Sequence, residues 1–387
     1  MIAKVYFEQS YDDFYPDRDR VYQVWAKYQQ NGGELKDYPQ TSGGIAPTMQ
    51  QQIPEIETVT RYTSFGDWTF TMTDTKMKYS GRCIIADSCF FDILPRPMLI
   101  GNAKEVLSTP MYVLISSRIA KNIGGDVIGK NFTVDNSPGR TMTIGGVFEE
   151  VPENSHSRYD VIVSMASAGR FMWEGSPTNM LGNDRYISYV KLHKGVNPLA
   201  LEEQVRTFVN SYFPPEEQQK VGLSIDFSFH KLDNLHKELP QVKRMTWILS
   251  LLAFALIFTA VMNYILIVIS SIVNRSKEVA VHKCYGASEN NIHGMMFGEA
   301  LVHIVLSLIL ALLLILAFRG TVEELLATSL DSLLLSNGSL VLLGICILVF
   351  FVSGFMPGSL YARIPVASAF RNYRENKRCL LYTSPSP

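Results

Sequence analysis

Few residues in this sequence have types and spacings that could do covalent chemistry. Gly124-Gly125-Asp126-Val127-Ile128-Gly129-Lys130 matches the G-x-x-x-x-G-K spacing that opens a phosphate-binding loop. The next residue is Asn131, where a Ser or Thr hydroxyl must hold magnesium, and the glycines follow a helix-like run instead of a strand. The segment therefore reads as a turn between a helix and a strand, and no nucleotide site is expected on this chain. The seven histidines show no H-E-x-x-H or other paired-ligand spacing, and His230 and His236 read as surface residues. The acid pairs Asp12-Asp13 and Glu149-Glu150 stand in turn-like contexts without a partner nucleophile, and read as caps and solvated faces. Cys83 and Cys89 flank the end of an expected strand, either as two partly buried thiols or as a disulfide. Cys284 and Cys346 read as inert. No catalytic, cofactor-binding or metal-binding set is expected.

The elements around these residues divide the 387-residue chain in two. With 35 basic and 36 acidic side chains there is no cationic excess to neutralise phosphates, which argues against a nucleic-acid partner. Residues 1–244 hold 26 Lys/Arg and 29 Asp/Glu, an ordinary globular balance. The remainder holds 9 and 7 in a far more apolar stretch. Residues 245–273 contain no charge and no histidine, with Trp247 near one end as an interfacial aromatic. Two further apolar runs cover 295–318 and 340–355. A bilayer core about 30 Å thick needs roughly 20 apolar helical residues, so three spanning helices are expected. Asn263 and Glu299 are the intramembrane polar residues singled out, Glu299 one turn before His303. Glu299 reads either as a side chain that snorkels to the interface or as a contact for a partner.

Orientation follows from the flanking charges. Arg275, Lys277 and Lys283 crowd the segment 274–291, and Arg363, Arg371, Arg374, Lys377 and Arg378 follow the third run. Segment 319–338 has Arg319 against Glu323, Glu324 and Asp331. The positive-inside rule places 274–291 and the tail in the cytoplasm, and 1–244 and 319–338 outside. Leu325, Leu326, Leu330, Leu333 and Leu334 predict an amphipathic helix over 321–335 on that outer side. Export of 1–244 needs a signal, and Met1-Ile-Ala-Lys-Val-Tyr lacks an apolar core and cleavage site. A membrane helix preceding the sequence is therefore expected. Within 1–244, strands are expected at 20–28, 58–64, 76–86, 141–148, 157–163, 186–192 and 223–229, and helices at 46–53, 116–123 and 198–212. Pro198 suits a first helical turn, and Pro214-Pro215 ends that helix. The predicted fold class is an α+β extracytoplasmic domain, open to division into two interleaved lobes, followed by an all-α domain of three transmembrane helices.

The segment Arg275-Ser-Lys277-Glu278-Val279-Ala280-Val281-His282-Lys283-Cys-Tyr-Gly286-Ala287 resembles the coupling loop of the FtsX-like/MacB-like family of ABC-transporter permeases, R-x-K-E-[IV]-[GA]-[IV]-R-K-x-x-G-A, with His282 where the family usually has Arg. Met262-Asn263-Tyr264 is similar to the family's M-N-[FYL]. The segment from Glu8 through Ser10-Tyr11-Asp12-Asp13-Phe14 to Asp19-Arg20-Val21-Tyr22 is similar to the opening of the MacB-like periplasmic core domain. Gly146-Val147-Phe148 with Val151-Pro152-Glu-Asn154-Ser155-His156 resembles that domain's G-V-x-x-D-x-P-x-N-S-H turn.

The resemblance implies a periplasmic core domain over 1–244, an FtsX-like membrane domain over 245–370 and a basic tail over 371–387, whose last residues, from Cys379, do not continue the pattern. It implies one membrane helix before the exported domain and three after it, so the chain reads as a piece of a longer permease. It further implies a multi-pass protein of the bacterial inner membrane that is not itself an enzyme. Its partners would be an ATP-binding subunit, which would hold the ATP and magnesium, and a second permease half or an identical copy. In some members a periplasmic adaptor and an outer-membrane channel join them. The implied function is to couple ATP hydrolysis by the partner to movement of periplasmic domains that export or extract a substrate. The alternative is a regulator that passes the same motion to cell-wall enzymes or a signalling partner. In the coupling segment, Val279, His282 and Lys283 share a helical face, and Val279 with Ala280 is expected to form the edge that enters the ATPase, rimmed by Glu278 and Lys283. Gly286 is expected to stop the helix.

Overall fold

A computed structural model describes residues 1–348 except 136–138, 183, 327, 335–337 and 342, with backbone alone at 268, 269, 271–277, 289, 296 and 300. The end of the third apolar run, 349–355, and the tail beyond it lie outside the described residues. The chain forms two compact units, one from Ser10 to Leu239, the other from Met1–Gln9 together with the chain from Pro240.

The first unit contains one eleven-stranded sheet. Its strands are β1 (Val21–Gln30), β2 (Lys36–Tyr38), β3 (Ile56–Met72), β4 (Lys78–Ala86), β5 (Met98–Ile100), β6 (Tyr112–Ser116), β7 (Asn131–Val134), β8 (Thr141–Phe148), β9 (Val161–Ser164), β10 (Ile187–Leu192) and β11 (Leu223–Lys231). The order is β11-β1-β10-β3-β4-β9-β6-β8-β5, with β2 on β1 and β7 bonded to both β3 and β8. That double pairing closes a ring, β3-β4-β9-β6-β8-β7, in which β4–β9 and β6–β8 run parallel and the remaining pairs antiparallel.

Side chains alternate across each ring strand with period two. Trp68, Phe70 and Met72, Cys83 and Ile85, Val113 and Ile115, Phe132 and Val134, and Val161 and Val163 all belong to one buried cluster. Their neighbours Ile84, Ala86, Leu114 and Ile162 belong to a second, which includes Phe90, Leu94 and Phe148. A third core lies on the open part of the sheet. There Ile45, Ala46 and Met49 of helix Ile45–Gln52 and Val205, Phe208 and Val209 of helix Glu202–Tyr212 pack with Val24, Ala26, Val59 and Val190. The i, i+3, i+4 spacing of those helical residues is what makes one face apolar.

Three differences from the sequence expectations have local causes. The expected helix 198–212 begins as a 3-10 turn, Pro198–Leu201, capped by the Asn197 side chain, before the α-helix Glu202–Tyr212. Pro214-Pro215 both ends that helix and starts another, Pro215–Val221, because proline fits a first helical turn. The expected helix 321–335 is two short ones, Arg319–Leu326 and Leu330–Leu334. Cys83 is fully buried in the ring and Cys89 stands at the start of helix Phe90–Ile93; both are free thiols.

In the second unit the helix Pro240–Cys284 runs 45 residues and the helix Glu289–Ala317 runs 29. Each contains a 28-residue segment apolar enough to cross a membrane, Pro240–Ile267 and Asn290–Ala317. At 1.5 Å per residue each segment spans about 42 Å, enough for the bilayer core with some tilt. Their apolar side chains face outward, with Leu251, Phe254 and Leu306 all more than half exposed. This is the inverse of a soluble core and suits lipid. A shorter apolar helix covers Gly338–Leu348. The helix Ile2–Gln9 packs on Pro240–Cys284 and on Leu330–Leu334. There Lys4 pairs with Glu8 at 2.6 Å and donates to Thr328 Oγ1 at 2.8 Å.

Candidate functional site

The predicted coupling segment is not a loop after a span. It is the last three turns of the helix Pro240–Cys284, so Arg275 and Lys277 lie on the same continuous helix as Asn263. Two hydrogen bonds end that helix: Ala287 N–H to His282 O and Gly286 N–H to Lys283 O, each 3.0 Å. With Gly286 at φ +88°, this is the paired closure of a left-handed C-cap. The next helix starts at once, Ser288 Oγ accepting from Asn291 N–H at 3.3 Å.

The exposed face of this segment differs from the expectation. Val279 and Ala280 are each 2% exposed, as is Ile292 in the first turn of the following helix. They belong to the interior of the unit and form no docking edge. Glu278, Val281, His282 and Tyr285 are exposed, Tyr285 at 88%. Their spacing i, i+3, i+4, i+7 makes a single stripe. The sequence pattern missed this because Val279 and Val281 are equally apolar, and only the packing of the neighbouring helix decides which is covered. Lys283 is half-buried. Deeper in the second helix Glu299 is half-buried, and His303 Nδ1–H donates to its backbone carbonyl at 2.8 Å. Asn263 is exposed.

A second group of polar residues lies where the first unit begins. Asp12 is fully buried and has φ +59°, a left-handed conformation that Asp tolerates better than most residues. Its N–H donates to Asn154 O at 2.8 Å. Its Oδ1 accepts from Ser155 Oγ–H at 2.9 Å, and its Oδ2 lies 2.6 Å from His156 Nδ1. The other ring nitrogen of His156 is 2.6 Å from the Tyr189 hydroxyl. Asn154 Nδ2 donates to Ser10 O at 2.7 Å and Ser10 Oγ at 3.1 Å. Tyr15 and Ser157 share a hydroxyl bond of 2.5 Å.

The two sequence motifs 8–14 and 146–156 are thus one constellation. The expectation that Asp12 is a solvated cap is corrected: it is the centre of a buried network. His156 was not singled out, and the only sequence signal for it is its place in the Asn154-Ser155-His156 motif. Burial pushes the Tyr189 and Tyr62 phenols far above their ordinary range, so both stay protonated donors. The histidine's second nitrogen faces a buried tyrosine and not an open nucleophile, so the group fastens the fold and does not process a substrate.

The same region ties the start of the unit to its end. Tyr11 stacks on His236 with centroids 3.5 Å apart. Arg18 pairs with Asp13 at 3.1 Å and Asp233 at 3.6 Å, while Lys237 reaches Asp233 at 3.2 Å. Burial raises the Asp13 pKa, offset in part by Arg18 and Lys237. The turn carrying Gly124, Gly125 and Gly129, all at positive φ, links helix Ser117–Ile123 to β7, as expected. Among the described residues no group of three His, Cys, Asp or Glu is placed to hold a metal ion.

A family model described as the MacB-like periplasmic core domain matches residues 1–208, and one described as the FtsX-like permease C-terminal matches residues 250–366. A crystal structure of a domain of a protein described as a permease, from Porphyromonas gingivalis, is 33% identical with a TM-score of 0.51, covering 56% of this chain and 91% of that one. The periplasmic region of MacB from Actinobacillus actinomycetemcomitans is 14% identical at a TM-score of 0.40, covering 56% of this chain and 91% of that one. The extracellular domain of the noncanonic ABC-type transporter YknZ from Gram-positive bacteria is 12% identical at 0.36, covering 53% and 98%. No curated protein matches the chain.

Proposed function

The chain belongs to the family of permeases that join a MacB-like periplasmic core domain to an FtsX-like permease domain, and from that premise we propose that it is the permease subunit of an ABC transporter, driven by a separate ATP-binding subunit that docks on the stripe Glu278, Val281, His282 and Tyr285. The observation that carries this reading is that the stripe stands exposed on a helix that continues without interruption from the apolar segment. An 88% exposed tyrosine beside an exposed valine, flanked by a carboxylate and an imidazole, has the make-up of an interface anchor with a polar rim. ATP and magnesium would reside on the partner.

The mechanism follows from stiffness. A 45-residue helix is about 67 Å long. A displacement imposed at 278–285 has no loop to absorb it before Pro240, which directly follows the last residue of the first unit. Closure of two ATP-binding subunits around nucleotide would therefore move the periplasmic domains of a paired permease, and that movement would export or extract the substrate. Such coupling is a two-state mechanical linkage between distant sites.

Replacing Val281 by Asp together with Tyr285 by Ala should abolish co-purification of the ATP-binding subunit from detergent extracts at unchanged permease level. Neither side chain supports the interior, so membrane insertion should be unaffected. Undiminished co-purification would sink the docking role.

A further inference from the structure

A cleft of about 280 Å³ opens in the first unit beside the Asn154–His156 turn, lined by Arg82, Arg96, Arg118 and Arg158 with Glu150 and Asp160. The four cations are not equivalent. Arg118 is neutralised, pairing with Asp160 at 2.5 Å and Glu150 at 3.3 Å. The Asp160 carboxylate is further fixed by the Arg82 backbone N–H at 2.9 Å. Gly81 permits this close approach, since a Cβ there would stand 2.7 Å from Asp160 Cβ. Arg82 and Arg158 are exposed, and neither side chain makes an ion pair among the described residues.

Arg96 is the unusual member. It is 5% exposed, and no carboxylate among the described residues lies within ion-pair distance. Its guanidinium packs against the rings of Phe90, Phe91, Phe148 and Tyr159, 5.1 to 5.9 Å from their centroids. Its terminal nitrogens donate to the carbonyls of Ser157 and Tyr159, and its Nε has no hydrogen-bond partner. Burying a cation without a counter-charge costs several kcal/mol, which ring faces and carbonyl dipoles offset only in part. Burial accordingly pulls the Arg96 pKa below the ordinary arginine range.

We propose that this cleft binds a phosphate group, with Arg96 at its floor and Arg82 and Arg158 at its mouth. Guanidinium forks match the oxygens of a phosphate in pairs, and the three cations free of carboxylate partners exceed what the two acids, already committed to Arg118, can neutralise. The volume admits a head group and not a drug-sized molecule. A free phosphate and the phosphate of a lipid head group present the same chemistry. The inference does not rest on the transport reading, since its test reads binding alone.

The full chain in phosphatidylcholine nanodiscs is titrated with inorganic phosphate and, separately, with short-chain phosphatidic acid. Removing Arg96 endangers the core, so the informative variant is R82A/R158A, whose side chains are exposed. Each lost charge-assisted hydrogen bond is worth about 1.5–3 kcal/mol, so affinity should fall at least about tenfold. Glu150→Gln should tighten binding, and Lys121→Ala, outside the cleft, should leave it unchanged. Binding of inorganic phosphate that the double variant weakens supports the site with a soluble source. Binding of phosphatidic acid alone, weakened in the same way, supports it with a lipid source. Binding of neither probe, or binding that the double variant leaves intact, overturns it.

Discussion

Asp12 combines three demands that one residue rarely meets: a positive φ, complete burial, and acceptance from Ser155 and from the backbone and ring of His156. Asp12→Asn separates them. Asparagine keeps the left-handed preference and the size, but loses the charge and turns one acceptor into a donor. Hydrogen bonds to a charged group contribute about 1.5–3 kcal/mol, so the variant should lower the stability of the periplasmic domain by about 2 kcal/mol. Thermal unfolding of the detergent-solubilised protein checks this, and an unchanged midpoint would refute the role. None of it was legible from the acid pair alone, because the partners stand more than 140 residues away and a local reading sees only a polar turn. The two motifs each had to be noticed separately, and only folding shows that they touch.

Elements were more legible where one periodicity held for many residues. The apolar runs 245–273 and 295–318 fall within long helices, and β8 has the expected bounds 141–148. The strands β2, β5 and β7, of three or four residues, escaped because so short a stretch carries almost no alternation. The C-terminal boundary of the first membrane helix was legible through Gly286, yet not the absence of a break before it. Gly286 has nothing within 4 Å of the position a Cβ would take, so any cost of replacing it arises in the backbone. Gly286→Val should destabilise the turn by about 1–2 kcal/mol, whereas Gly286→Asn should be tolerated. Hydrogen exchange at the amides of Gly286 and Ala287 reads this directly: faster exchange is expected in the valine variant and near-native protection in the asparagine one. Equal exchange in both would show that the left-handed closure is not what holds the turn.

For the molecule as a whole, β3 is the shared member. Its first part pairs with β10 of the open sheet, and its remainder with β4 and β7 of the ring. Phe70 lies on the ring part, 1% exposed and 4.8 Å from the Phe132 ring. Phe70→Ala should cost about 3–5 kcal/mol, and because β3 belongs to both lobes they should unfold in one transition. Urea unfolding monitored by exchange in β1 and in β6 tests this; a persistent β1–β10 pairing after loss of the ring would show two independent lobes. The α+β class was legible from the expected run of strands and helices, but not the ring, because closure depends on β7 pairing at both its edges. The clasp between residues 11–18 and 233–237 also has a consequence in time. Apart from the short β2, β1 finds its partners only in β10 and β11, whose residues emerge last. At about 5–20 residues per second, the first long strand waits on the order of ten seconds or more for its neighbours. During export it must therefore be kept from pairing with other chains, so this domain is expected to depend on holding factors until residue 231 has crossed.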